Sequence, residues 1–159
     1  MECGSYRGGT AMALALAADP KQVYSFDTFS GMPEPTAADQ HKQGDFGDID
    51  FNEVLAATKP FGNLSLVKGE FAATFPQFIN SRPSGYTISA LFLDCDLYES
   101  YKLALETWWH RLSPGGICIL EDYGVTDCKG ATKAIEEFFP PQAIHLKEQL
   151  YVAAKEVQS

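Results

Sequence analysis

Five acidic side chains follow two apolar runs, and their types and spacing point most clearly to chemistry. The run 88–93 leads into Asp94, Asp96 and Glu99, and the run 116–121 ends in Glu121 followed by Asp122. Short apolar runs of this kind are typical of buried strands, and open α/β sheets place ligands at the carboxyl ends of their strands. We therefore expect these carboxylates to face one crevice.

Carboxylates crowded into one crevice repel one another unless a proton or a cation compensates their charge. Oxygen ligands suit Mg²⁺ or another hard divalent ion. The candidate metal ligands are therefore Asp94, Glu121 and Asp122. Asp96 and Glu99 also have a simpler explanation, because acids in the first turn of a helix stabilise it through the helix dipole.

A second candidate site lies at the start of the chain, where Gly4 and Gly8 precede an apolar helical stretch. Small residues let a ligand approach the backbone closely, and a helix N-terminus offers free N–H groups. Asp27 follows the next apolar run, and in nucleoside-binding α/β folds a carboxylate there accepts hydrogen bonds from ribose hydroxyls. Together these features predict a nucleoside-containing cofactor, although each alone also fits a plain turn.

The elements that must position these residues form an alternating pattern of apolar runs and amphipathic stretches, which indicates βα units around a mostly parallel sheet. We predict one α/β domain over 1–159. The predicted strands cover 22–26, 63–68, 88–93 and 116–121, and the predicted helices cover 8–18, 50–58, 70–80, 98–112 and 129–139. Two final runs, 143–147 and 149–154, predict an antiparallel pair that closes the sheet.

The segment 31–50 shows neither helical nor strand periodicity and contains two prolines and several aspartates. Loops of about twenty residues are uncommon in compact domains and are often lids or binding loops, with a solvated surface excursion as the alternative. His41 in this segment could reach a substrate as a base, whereas His110 and His145 are expected to be structural.

Composition excludes several classes of function. Twelve Lys and Arg residues against twenty-one Asp and Glu residues give a net charge of −9, which argues against nucleic acid as a partner. Twenty aromatic residues favour a packed core. The four cysteines form no CxxC pair, so we expect a reducing, cytoplasmic setting, and no apolar run is long enough for a membrane span.

Six motifs in order carry a family resemblance: Glu2-Cys3-Gly4 through Gly8-Gly9, Asp27-Thr28-Phe29-Ser30-Gly31-Met32-Pro33, Lys68-Gly69-Glu70-Phe71, Asp94-Cys95-Asp96-Leu97-Tyr98-Glu99-Ser100, Pro114-Gly115-Gly116 and Glu121-Asp122-Tyr123-Gly124. Over nearly its whole length, the chain resembles the macrocin O-methyltransferase family. These enzymes use S-adenosylmethionine to methylate sugar hydroxyls of macrolide and aminocoumarin antibiotics, among other substrates. The resemblance implies a Rossmann-like class I methyltransferase fold.

The resemblance also implies roles for individual residues. The implied cofactor-binding set has Gly4 and Gly8 near the methionine part, Asp27 on the ribose and Gly69 with Glu70 near the adenine, and it also includes Glu2 and Thr28. It implies a magnesium ion held by Asp94, Glu121 and Asp122, with Asp94 as the base that takes the proton of a small-molecule hydroxyl acceptor.

Two features depart from the family pattern. The family has Asp-Asp where this chain has Glu121-Asp122, so one ligand reaches a methylene further. The first strand normally ends at the Glu-x-Gly motif, but only Met1 precedes Glu2. We therefore expect most of that strand, and an N-terminal lid, to be missing, which would expose a sheet edge and favour a homo-oligomer.

The residues are also compatible with two functions other than methyl transfer. Phosphatases of the haloacid dehalogenase type also use an Asp-x-Asp after a strand and a later acid pair for Mg²⁺. Asp94 and Asp96 with Glu121-Asp122 imitate that arrangement, but their late position and the single lysine between them, Lys102, argue against it. The second alternative is a non-catalytic, methyltransferase-like binding domain.

Overall fold

The computed structural model describes residues 1–147 and 150–156, which form seven strands and five helices. In chain order these are β1 (Glu2–Cys3), α1 (Gly9–Ala18), β2 (Val23–Asp27), α2 (Phe51–Thr58), β3 (Leu64–Lys68), α3 (Phe71–Asn80), β4 (Ile88–Leu93), α4 (Tyr98–Trp108), β5 (Leu112–Leu120), α5 (Lys129–Phe138), β6 (Ile144–Lys147) and β7 (Leu150–Ala154). Short 3₁₀ turns cover Trp109–Arg111 and Pro141–Ala143.

The strands form one sheet in the order β3-β2-β1-β4-β5-β7-β6. The first five are parallel, whereas β7 runs antiparallel to both β5 and β6. Short β1 lies at the centre, with Glu2 opposite Ser25 of β2 and Phe92 of β4. The predicted mostly parallel α/β sheet with a C-terminal antiparallel pair is confirmed.

Two predicted boundaries are wrong. Helix α4 ends at Trp108, and β5 begins at Leu112 rather than at 116. Leu112 lies opposite Ile88 while Ile117 lies opposite Ala90, so the residues between them bulge out of the strand. The Pro-Gly-Gly sequence resembles a turn but is a bulge inside the strand. Gln149, predicted in the last strand, lies outside the described residues.

Helices α3, α4 and α5 share one hydrophobic core with the sheet. At its centre, Phe26 of β2 makes edge contacts with Phe75 and Phe78 of α3, each with ring centroids 5.2 Å apart, and Trp108 of α4 packs against all three rings. Such aromatic pairs add to the stability gained by burial. This core fixes the carboxyl ends of β2 and β4 relative to each other.

The segment between β2 and α2 contains neither helix nor strand, as the sequence predicts, but it is held in place at several points. Its own backbone closes a loop between Met32 and Gly44, and Asp39 Oδ1 accepts a hydrogen bond from the backbone N–H of Tyr98 at 2.8 Å. Arg7 contacts Asp48 at 2.6 Å. We call residues 28–50 the covering loop.

Of the helices that the structure describes, none has the length and apolar character needed to cross a bilayer.

Candidate cofactor and metal site

The chain turns sharply after β1, and this turn brings two parts of the site into contact. Gly4 has a φ of +92°, and a Cβ atom there would overlap the carbonyl oxygen of Asp94. Only glycine fits, because both the positive φ and the close backbone approach exclude a side chain. Gly8 also has a positive φ, but a Cβ there would meet Val54 and Thr58, so Gly8 faces α2.

Asp27, at the end of β2, holds this turn through its side chain. Its Oδ2 atom accepts hydrogen bonds from the backbone N–H groups of Ser5 at 2.7 Å and Tyr6 at 2.9 Å, and Oδ1 accepts one from Phe29 at 2.6 Å. The Thr28 hydroxyl also lies 3.4 Å from Oδ1, but its single proton goes to the carbonyl of Gly31 at 2.6 Å. Because a carboxylate has about four acceptor positions, Oδ1 keeps one for a ligand hydroxyl. Asp27 therefore organises the backbone and still offers an acceptor.

A cavity of about 370 Å³ lies beside this turn, within the usual size range of ligand pockets. Its wall comes from the glycine turn, the covering loop, the start of α3 and the residues after β4. Of the expected cofactor-binding residues, four line the cavity and three do not. The lining residues are Gly4, Asp27, Thr28 and Glu70, and the others are Glu2, Gly8 and Gly69.

The residues behind the cavity wall support it from the interior. The N–H of Gly69 donates to the carbonyl of Asp27 at 2.9 Å. Glu2 is fully buried and accepts a hydrogen bond from the Ser25 hydroxyl on Oε2, while its Oε1 has no partner among the described residues. Burial raises the pKa of Glu2 to about 7.

The carboxylates predicted to converge do so. Asp94 after β4, and Glu121 and Asp122 after β5, each bring one oxygen within 4.8 Å of the others, and we call this trio the acidic cluster. Asp122 is buried, and its Oδ2 accepts the backbone N–H groups of Cys95 at 3.1 Å and Asp96 at 3.0 Å. Asp94 also lines the cavity, so it belongs to both parts of the site.

Crowding perturbs the acidic cluster electrostatically. Burial, followed by repulsion from Asp122 and Glu121, raises the pKa of Asp94 to about 8. Burial and Asp122 also raise the pKa of Glu121, and they raise that of Asp96 to about 6. A bound cation would relieve this repulsion, and three carboxylates are the kind of donors that a hard divalent ion such as Mg²⁺ takes.

A second group of side chains was only partly anticipated. His41 of the covering loop lies with its Nε2 atom 3.8 Å from Asp96 Oδ1 and 3.8 Å from Cys128 Sγ, and Cys128 Sγ lies 3.5 Å from Asp96 Oδ1. The sequence suggests His41 as a group that reaches the site, but it gives no signal for Cys128. Only the docking of the covering loop against α5 brings these residues together.

Three residues near the ends of β1, β2 and β4 adopt left-handed backbone conformations that side chains seldom take. These are Tyr6 with a φ of 47°, Phe29 with 48° and Asp96 with 57°. Such conformations persist only where the surroundings enforce them, and they cluster at functional sites. All three lie beyond the carboxyl ends of the strands, on the side of the sheet where the cavity lies.

The sheet order, the glycine turn after the first strand and the acid at the end of the second define a class I methyltransferase domain. The sequence model of the macrocin O-methyltransferase (TylF) family matches residues 1–150, so the chain belongs to that family.

Two curated relatives show the same kinship. The chain is 31% identical to 8-demethyl-8-(2,3-dimethoxy-α-L-rhamnosyl)-tetracenomycin-C 4′-O-methyltransferase of Streptomyces olivaceus, over 82% of this chain and 55% of the relative. It is 26% identical to mycinamicin III 3′′-O-methyltransferase of Micromonospora griseorubida, over 82% of this chain and 57% of the relative. The chain thus spans little more than half the length of these relatives.

Solved structures show the same fold. The calicheamicin methyltransferase CalS11 has a TM-score of 0.79 at 24% identity, over 97% of this chain and 70% of that protein. The O-methyltransferase NovP has a TM-score of 0.78 at 22% identity, over 98% of this chain and 70% of that protein. An O-methyltransferase of Bacillus cereus, solved in complex with SAH, has a TM-score of 0.61 at 13% identity, over 97% of this chain and 72% of that protein.

Proposed function

We propose that this protein is a Mg²⁺-dependent O-methyltransferase that transfers the methyl group of S-adenosylmethionine to a hydroxyl of a small molecule. The proposed acceptor is a sugar hydroxyl. Family membership supports the reaction class. The single observation that carries the proposal is the position of Asp94, which lines the cavity and belongs to the acidic cluster. Methyl donor and activated hydroxyl must meet at such a point.

The cavity supplies what the cofactor requires. Gly4 lines the cavity where the methionine part would lie, and the acceptor position remaining on Asp27 suits a ribose hydroxyl. Glu70 and Phe71 line the wall at the start of α3, where a polar group and a ring suit adenine. Gly8 and Gly69 act from behind the wall through their N–H groups, which donate to the carbonyls of Ser5 and Asp27. Glu2 acts there through its hydrogen bond with the Ser25 hydroxyl.

In the proposed metal site, Asp94, Glu121 and Asp122 would hold Mg²⁺, which would supply positive charge to stabilise the negative charge developing on the acceptor oxygen. Asp94 takes the proton of the hydroxyl, whose oxygen bonds to the methyl carbon while the carbon–sulfur bond breaks and its electron pair stays on sulfur. Orienting the reactants in line accounts for much of the expected acceleration.

A second candidate for the base is Asp96, because it lines the same cavity without belonging to the acidic cluster. A carboxylate that binds the metal directly loses basicity, whereas a neighbouring one keeps it. Asp94 is the proposed base, and comparison of the two asparagine variants decides between them.

Calorimetry with S-adenosylmethionine, with and without Mg²⁺, is the first test. We expect binding by the wild type and by Asp94→Asn, but methyl transfer by the wild type alone. Because the Streptomyces olivaceus relative is named for a rhamnosyl acceptor, rhamnosylated small molecules come first in the acceptor panel. The matched control is Asp96→Asn, which keeps activity if Asp94 is the base.

Two results would contradict the proposal. If S-adenosylmethionine did not bind under either condition, the proposed methyltransferase function of this chain would be refuted. Full activity of Asp94→Asn in EDTA would remove both the metal and the base assigned here. Family membership and the structural neighbours favour a methyltransferase over a phosphatase of the haloacid dehalogenase type.

A further inference from the structure

We propose that His41, Asp96 and Cys128 form a second metal site, separate from the acidic cluster, for a borderline divalent ion such as Zn²⁺. We call these three residues the His–Asp–Cys cluster. The inference goes beyond the proposed methyl transfer and does not depend on it.

The separations between the donor atoms carry the inference. In tetrahedral zinc sites the Zn–S bond is about 2.3 Å and the Zn–N and Zn–O bonds are about 2.0–2.2 Å, so neighbouring ligand atoms lie roughly 3.3–3.6 Å apart. In the His–Asp–Cys cluster the S···O separation is 3.5 Å, and the N···O and N···S separations are each 3.8 Å. Movements of a few tenths of an ångström would bring all three atoms to one ion.

The three ligands are held before any ion binds. His41 has its second ring nitrogen, Nδ1, 3.6 Å from Asp45 Oδ2, a carboxylate that can orient the ring as neighbours of metal-binding histidines do. Asp96 is fixed by its left-handed backbone and by its N–H bond to Asp122. Beside Cys128, the N–H of Lys129 donates to Gln40 Oε1 at 3.0 Å, which fastens the covering loop to α5.

The donor set differs from that of the acidic cluster in the ions it prefers. Sulfur and imidazole ligands suit Zn²⁺ and related ions, whereas Mg²⁺ takes oxygen ligands and water. The two sites are therefore expected to bind different ions even though Asp96 lies two residues from Asp94. Three protein ligands leave a fourth position on zinc for water or a bound molecule.

The sulfur, His41 and Asp45 also lie in the order of a nucleophile, a base and an orienting acid. Charge argues against a nucleophilic thiolate here, because the carboxylates of Asp96 and Asp122 face the sulfur. The same negative charges attract a cation. The surroundings therefore favour metal binding over a role in covalent catalysis.

Titration with Co²⁺, in excess Mg²⁺ to occupy the acidic cluster, tests the inference. Co²⁺ bound to a thiolate gives a near-ultraviolet charge-transfer band, and tetrahedral Co²⁺ absorbs strongly in the visible. We expect both bands in the wild type and neither in Cys128→Ser. His41→Asn should weaken binding at least tenfold, and Zn²⁺ should displace the bound Co²⁺.

The controls are Cys95→Ala, which removes the neighbouring thiol, and Glu121→Gln, which alters the acidic cluster. Both should keep the bands. The inference is overturned if the wild type lacks the charge-transfer band, if the band persists in Cys128→Ser, or if Cys95→Ala abolishes it. Because no reading involves S-adenosylmethionine, failure here and failure of the methyltransferase proposal are distinguishable.

Discussion

Asp27 and Asp94 lie at the same edge of the sheet, at the ends of β2 and β4, yet their surroundings are opposite. Asp27 accepts three backbone N–H groups, whereas the side chain of Asp94 accepts none from the described residues and faces other carboxylates. The cofactor half of the site is thus organised by its own backbone. The acidic half reaches its lowest energy only with bound protons or a cation.

The difference originates in what each turn does with its amide groups. The turn after β1 directs the N–H groups of Ser5 and Tyr6 to Asp27. The turn after β4 directs those of Cys95 and Asp96 to Asp122 instead. The side chain of Asp94 therefore receives no backbone hydrogen bonds from the described residues and is repelled by neighbouring carboxylates. Asp27 and Asp94 thus differ in their electrostatic environment, although both are aspartates at strand ends.

The largest effect is expected where the two halves touch. Gly4→Ala forces a Cβ atom into the carbonyl of Asp94 and strains a positive φ, so the chain should lose at least several kcal/mol of stability and all binding of S-adenosylmethionine. Gly9→Ala is the matched control, because no atom lies within 4 Å of its Cβ position. Thermal unfolding and calorimetry provide the comparison, and a stable Gly4→Ala variant that binds cofactor would refute the assigned contact.

The two aspartates should respond to the same substitution with opposite signs. Asp27→Asn loses charge-assisted bonds to the backbone and should destabilise the chain by about 2 kcal/mol. It should also weaken binding of S-adenosylmethionine about tenfold or more.

Asp94→Asn, measured in EDTA, should instead stabilise the chain. The folded state raises the pKa of Asp94 from 3.8 to about 8, so it holds the proton more tightly than the unfolded state does. Wild-type stability therefore falls as pH rises from about 4 to about 8, and the variant escapes this loss, which amounts to roughly 5 kcal/mol at pH 8.

Two conditions serve as controls for this pair. Near pH 4 the stabilities of wild type and Asp94→Asn should converge, and saturating Mg²⁺ should favour the wild type because only it keeps the full ligand set. Urea unfolding at several pH values gives these free energies. Equal responses of Asp27→Asn and Asp94→Asn would show that the two halves do not differ as described.

The smallest effect concerns the covering loop, which joins the halves through Asp39. A Cβ atom at Gly130 of α5 would overlap Asp39 Oδ1 and would lie 3.1 Å from the backbone nitrogen of Tyr98, although alanine is the better helix former. Gly130→Ala should therefore change stability by only about 1 kcal/mol while releasing the loop. The Tyr98 amide donates a hydrogen bond to Asp39, so its hydrogen exchange should accelerate when the loop is released.

Asp39→Ala provides the test of mechanism for that variant. If Gly130→Ala acts through Asp39, the double variant should exchange at Tyr98 no faster than either single variant. Gly62→Ala, with open space at its Cβ position, should leave the exchange rate unchanged. Additive acceleration in the double variant would place the effect elsewhere in α5.

Much of this arrangement follows from the sequence. Parallel strands bring their carboxyl ends to one edge, so Asp94 and the Glu121-Asp122 pair can be assigned to one crevice from apolar runs, while Asp27 is assigned with Gly4 and Gly8 to a second candidate site. The covering loop was also recognisable, because its composition excludes both helix and strand.

Other features depend on contacts that no local pattern records. Cys128 and His41 are separated by 87 residues and meet only because the covering loop docks on α5. Gly8 looks like part of a ligand-binding turn, yet its open face is turned toward α2. The sequence pattern does not reveal the early start of β5, because its Pro-Gly-Gly segment is equally typical of a turn and of a bulge inside a strand.

The buried carboxylate of Asp122 has a consequence for measurement. One of its oxygens accepts hydrogen bonds from two successive amides, and the same carboxylate belongs to the acidic cluster, so an ion bound at the cluster must redistribute electron density felt by those amides. The nitrogen-15 resonances of Cys95 and Asp96 are therefore built-in reporters of cation occupancy. In nitrogen-15-labelled protein, their shifts would register an ion without turnover or an added chromophore.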